Sequence, residues 1–60
     1  MQTNEQLLGY YFQAGQNCPV IRVTHTNGSH CEVKYAYWDP YENRYQPCAE
    51  YKARNLIGHV

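Results

Sequence analysis

Three cysteines and three histidines are the side chains of this 60-residue sequence that could ligate a transition metal. Zinc sites usually contain ligand pairs two to four residues apart. Here Cys18 and Cys31 are separated by 12 residues, and Cys31 and Cys48 by 16. His25 and Cys31 can share a face of a strand, so a site completed by another cysteine is the alternative. We predict structural thiols, with no metal and no cofactor.

Catalytic motifs are missing as well. The sequence contains no glycine-rich phosphate loop, nucleophile elbow, His-Glu-x-x-His motif or paired carboxylates. A Cys–His pair would also need a pocket that excludes water, and a chain this short rarely encloses one. We predict that the protein is not an enzyme.

The segment YAYWDPYENRYQP, residues 35–47, holds five of the nine aromatic rings in the chain. Side chains alternate along a strand, so Tyr35 and Tyr37 point to one face and Trp38 to the other. Large aliphatic residues are scarce, and tyrosines must therefore supply part of the core. We predict that Tyr35, Tyr37 and Tyr45 pack there.

A binding site is predicted on the opposite face of the sheet and in the adjoining turn. Two aromatic and three cationic side chains form it: Trp38, Tyr41, Arg44, Lys34 and Arg22. Exposed Trp, Tyr and Arg have the composition of a binding hot spot. The alternative is that Trp38 covers a sheet edge or packs on a helix.

The elements that position these residues begin with a predicted helix over residues 3–14. Apolar residues recur there at helical spacing: Leu7, Leu8, Tyr11 and Phe12. Thr3 and Gln6 fit a capping box, and Gly15 fits a helix stop. Gly9 in the middle costs about 1 kcal/mol, so tertiary packing must support this helix.

A β-hairpin is predicted for the middle of the chain, and its side-chain pattern distinguishes two registers. A two-residue turn at residues 27–28 would set Val23 opposite Glu32. A three-residue loop at residues 26–28 sets Val23 opposite Cys31 and keeps apolar side chains together. We predict the second register, because a one-residue slip exchanges the two faces.

The chain then turns at DPYEN and returns as a short strand over residues 44–46, which Pro47 ends. Residues 48–57 are predicted to form a second helix, with Glu50 one turn before Arg54. A further strand is the alternative for this segment. The predicted fold class is α+β: an N-terminal helix, a three-stranded antiparallel meander and a short C-terminal helix in one domain, residues 1–60.

Two short strands, the turn WDPYENRY and the helical turn EYKARNLI resemble the small SH3-like and Tudor-like domains over residues 19–57. The resemblance implies an SH3-like β-barrel as the alternative fold. The acidic loop motifs of SH3 domains are missing, so the resemblance does not imply a pocket for proline-rich peptides. In overall character the chain is also similar to short accessory proteins of temperate bacteriophages. That similarity implies action on a host protein, but it assigns no role to any particular residue of this chain.

Five basic and five acidic residues give a formal net charge of zero. Non-specific DNA binding needs many phosphate contacts from Lys and Arg, and this balance does not supply them. We predict a non-catalytic protein-interaction module or small inhibitor whose partner is another protein. The alternative is a weak single-stranded nucleic-acid binder that stacks bases on its rings. A homodimer is a further candidate assembly.

The first sixteen residues have no basic n-region and no long apolar stretch. Signal peptides and membrane spans need such features, and the odd number of cysteines argues against a secreted disulfide framework. We predict a cytoplasmic protein with no membrane partner.

Overall fold

The computed structural model describes residues 2–58 and shows one antiparallel sheet followed by a short helix. The elements are β1 (Gln2–Gln13), β2 (Gln16–Asn27), β3 (His30–Asp39), β4 (Arg44–Cys48) and α1 (Glu50–Leu56). The strands lie in the order β1-β2-β3-β4, so β1 and β4 form the two edges. The described strands therefore make an open meander, and not the predicted α+β arrangement or its barrel alternative.

The predicted N-terminal helix is wrong, because residues 2–13 form the first strand. The register with β2 shifts between Leu7 and Gly9. This irregularity interrupts the two-residue alternation of side chains along the strand. The apolar residues are then three and four positions apart, which is the spacing typical of a helix. Three consecutive aromatic residues, 10–12, and the interior glycine favour a strand instead.

Two tight turns connect the first three strands. Ala14 and Gly15 have φ values of 53° and 75°, the pattern of a type I′ turn. Gly15 therefore lies in a hairpin turn, and the prediction that it ends a helix is wrong. In the second turn, residues 28–29, only Gly28 has a positive φ, 62°, which is the pattern of a type II′ turn.

The register between β2 and β3 differs from both predicted registers. Val23 lies opposite Lys34. Arg22 consequently lies opposite Tyr35 and shares its face, although the prediction placed Arg22 on the other face. Gly28 suits all three loops, and both faces of this hairpin carry apolar side chains, so neither the turn residue nor the alternation was decisive.

The C-terminal helix is confirmed but begins later than predicted, at Glu50. Pro47 lies inside β4 and does not end it. An edge strand is where a sheet tolerates the missing N–H of proline. The predicted pair on the helix is present, with Arg54 Nη2 at 2.7 Å from Glu50 Oε2. No helix in the described part of the chain is long and apolar enough to cross a membrane.

The buried core is small. Among the described residues, four apolar side chains are buried: Cys18, Val20, Ile21 and Ala53. The helix approaches the sheet at Gly9, where an added Cβ would stand 3.1 Å from Ile57 Cγ2. Since a domain of this length buries only about 60% of the surface that its unfolded chain exposes, less than larger domains do, a free energy of unfolding of a few kcal/mol is expected.

Candidate functional site

The two faces of the sheet differ in what covers them. We call one the helix face, because α1 packs on it: Lys52 lies over Tyr37, and Ile57 lies over Gly9. We call the other the open face, because no described element packs on it. By strand register, its apolar side chains are Leu7, Tyr10, Phe12, Pro19, Ile21, Val23, Ala36, Trp38, Tyr45 and Pro47.

Apolar side chains form two adjacent rows across all four strands of the open face. One row contains Tyr10, Pro19, Trp38 and Tyr45, and the next contains Leu7, Ile21, Ala36 and Pro47. The rings of Trp38 and Tyr45 lie 5.0 Å apart at 76°, an edge-to-face arrangement. The rows therefore form one continuous apolar surface with an aromatic pair on β3 and β4.

Much of this surface is accessible to solvent, although Ile21 within it is buried by its neighbours. The exposed fractions are 53% for Leu7, 54% for Tyr10, 68% for Phe12 and 42% for Tyr45. Trp38 is partly exposed. Soluble monomers rarely leave large contiguous apolar patches uncovered, and such patches mark interaction sites.

The border of the open face toward the Gly28 turn is polar. Glu5 and Lys34 lie in the row beside the apolar rows, and Lys34 Nζ stands 3.2 Å from Glu32 Oε1. Thr3 Oγ1 and His25 Nδ1 are hydrogen-bonded at 3.1 Å. This side of the patch thus has the polar rim typical of protein interfaces.

The structure divides the five predicted site residues between two surfaces. Trp38 and Lys34 lie on the open face, whereas Arg22 lies on the helix face. Tyr41 lies in the turn at the end of the helix face, and Arg44 follows it at the start of β4. The predicted set is therefore not one cluster.

The predicted position of Tyr45 in the core is also wrong. Tyr45 lies on the open face, because it pairs with Trp38 and not with Tyr37. Sequence reasoning also missed the β1 residues of the open face, Leu7, Tyr10 and Phe12, because it assigned them to a helix. The aromatic run at residues 10–12 was the available signal for a strand.

A groove of about 290 Å³ lies at the other end of the helix face. Its lining includes Tyr11, Tyr37, Tyr41, Asp39, Lys52 and Leu56. The Tyr11 hydroxyl donates a hydrogen bond to the backbone carbonyl of Trp38. Desolvation, followed by the neighbouring Cys18 and Tyr37, raises the pKa of Tyr11 to about 12. These contacts fasten the first hairpin to the rest of the sheet.

Asp39 organises the turn that ends β3. Its Oδ1 accepts the backbone N–H groups of Tyr41 at 2.9 Å and Glu42 at 3.3 Å, and its Oδ2 accepts Gln46 Nε2 at 3.2 Å. Desolvation acts to raise the pKa of Asp39, but these hydrogen bonds and the charge of Arg44 outweigh it and hold the pKa below its usual value. The predicted DPYEN turn is thus confirmed and has a clear electrostatic cause.

A pH-dependent stability follows from Asp39. Because its folded-state pKa is depressed, its contribution is present above the unfolded-state pKa of about 4 and is lost as pH falls through the folded-state pKa. Asp39→Asn is therefore expected to lower the melting temperature at neutral pH, and the difference from the parent should shrink in acid. Thermal melts followed by circular dichroism measure this, with exposed Glu5→Gln as control. A difference that is constant with pH would contradict it.

The alternative metal site of the sequence analysis is not assembled. His25 pairs with Glu32 on the open face, whereas Cys31 pairs with Thr26 on the helix face. Within residues 2–58, no three His, Cys, Asp or Glu side chains lie close enough to hold a metal ion. Cys18 is buried, Cys31 is exposed, and both are free thiols.

Comparison with known proteins gives no assignment. No protein-family model, curated protein or solved structure matches the chain. The resemblance to SH3-like and Tudor-like domains and the similarity to bacteriophage accessory proteins therefore stay predictions. The functional conclusion has to rest on the open face itself.

Proposed function

We propose that the chain is a non-catalytic interaction module or small inhibitor that binds another protein through the open face. The observation that supports this most is the pair of apolar rows across four strands, with no described element packed on them. Interface centres are enriched in Tyr, Trp and Phe, and all three residue types are present here. The expected partner offers an apolar surface of its own.

The arrangement of charge also fits a protein partner. The apolar rows are bordered by the Lys34–Glu32 ion pair, so the charged groups lie at the rim and not in the centre. Interfaces have this anatomy, because a charge buried at the centre without a partner is costly. Trp38 and Tyr45 are the side chains that we expect to contribute most to affinity.

The positions of the Lys and Arg side chains argue against single-stranded nucleic acid as the ligand. Three of the five Lys and Arg side chains form ion pairs with carboxylates, at N–O distances of 2.7 to 3.2 Å. Arg22 and Lys52 lie on the helix face. A base stacked on Trp38 would therefore find, among the described open-face residues, only Lys34 for its phosphate.

The two ligand classes can be separated with Trp38, which is the only tryptophan of the chain. We expect its fluorescence to be unchanged by a single-stranded oligonucleotide. A protein partner, isolated on the immobilised chain from nuclease-treated extract, should shift the emission to shorter wavelength at both low and high salt. Quenching by the oligonucleotide that disappears as salt rises from about 50 to 200 mM would instead establish the nucleic-acid binder.

A further inference from the structure

The outer edge of β1 is a second surface, distinct from the open face. β1 pairs with β2 on one side, and within the described residues no strand pairs with its other side. That edge presents a row of backbone N–H and C=O groups able to bind another strand. At about 3.4 Å per residue, its 12 residues span about the full 41 Å length of the molecule.

This edge lacks most of the features by which proteins prevent strand pairing. Such features include Lys, Pro, very short edge strands and β-bulges, and of these β1 has only the irregularity between Leu7 and Gly9. β1 has no Lys, Arg or Pro, and its single charge is Glu5. The opposite edge, β4, has five residues and contains both Pro47 and Arg44. The two edges are therefore unequal, and β1 is the one available for pairing.

We infer that the β1 edge binds a second copy of this chain, with the two β1 strands antiparallel about a two-fold axis. The result is one continuous sheet of eight strands. The irregularity between Leu7 and Gly9 lies at the centre of β1, so the two-fold axis sets the two irregularities against each other. A regular strand from a different protein would have no irregularity of its own to place opposite the one in β1. The net charge of zero gives the copies no overall repulsion.

The edge suits a reversible dimer. It offers 12 residues for an antiparallel ladder, and a single strand-to-strand contact is small beside the interfaces of permanent dimers. Edge pairing leaves both open faces uncovered on the double sheet, so this inference does not depend on the proposed function.

Sedimentation equilibrium of the full chain tests the inference. The mass is expected to rise with concentration from 7.1 kDa to about twice that value. Gln6→Lys places a charge on the β1 edge without changing the open face, and it should weaken dimerisation about tenfold or more. Tyr45→Lys changes the open face away from this edge and should dimerise like the parent. Circular dichroism establishes that both variants are folded.

The other outcomes overturn the inference. A chain that stays at 7.1 kDa at every concentration has no β1 pairing. A dimer lost in Tyr45→Lys and kept in Gln6→Lys would show that two open faces pack together instead. The first result leaves the open face free for a different protein, whereas the second assigns the open face to a second copy of this chain, so failure of this inference is distinguishable from failure of the proposed function.

Discussion

Replacing Tyr37 with alanine is expected to destabilise the fold by about 2–4 kcal/mol, somewhat less than the loss for a fully buried aromatic residue. Its ring packs edge-on against Tyr11, with centroids 6.0 Å apart, and lies 5.0 Å beneath the ammonium group of Lys52. It is also opposite the fully buried Val20. The variant therefore loses the surface on which α1 rests. With so small a core, a large fraction of the variant should be unfolded at room temperature.

The matched control is Tyr45→Ala, which removes the same side chain from the next strand and the other face. Because Tyr45 is exposed on β4 and loses mainly its edge-to-face contact with Trp38, we expect a loss of about 1 kcal/mol. Urea denaturation followed by circular dichroism and by Trp38 fluorescence measures both variants. Equal losses, or a larger loss for Tyr45→Ala, would show that the open face stabilises the monomer as much as the helix face does.

The features that could be predicted from the sequence depend on residues that are close together in the chain. The alternation inside β3 correctly separated Tyr35 and Tyr37 from Trp38, because neighbouring side chains of a strand must point to opposite faces. The turn after Asp39 and the C-terminal helix were also recognised from nearby residues. Capping carboxylates, turn residues and ion pairs one helical turn apart act within a few positions of the chain.

What could not be predicted depends on contacts between distant segments. The β2–β3 register requires the partner strand, and Gly28 permits several loops of different length. The shift at Leu7 gave β1 the apolar spacing of a helix, and pairing with β2 overrode that spacing. Three of the ten apolar side chains of the open face were missed for this reason, since Leu7, Tyr10 and Phe12 lie on β1.

Trp38→Ala is expected to weaken binding of a protein partner about 30-fold or more, which corresponds to roughly 2 kcal/mol at a hot spot. Its ring lies in an apolar row and packs against Tyr45, with apolar neighbours on the adjacent strands. Removing it leaves a cavity in the surface that the partner would cover. The free energy of unfolding should fall by only about 1 kcal/mol, the worth of one aromatic pair.

Tyr51→Ala is the matched control, because Tyr51 is 73% exposed on α1, which packs on the opposite face. Immobilised parent, Trp38→Ala and Tyr51→Ala chains are compared for the protein that they retain from the same nuclease-treated extract, and calorimetry with that purified protein then gives the three affinities. We expect Tyr51→Ala to match the parent. Equal affinity of the parent and a folded Trp38→Ala would show that the partner binds elsewhere.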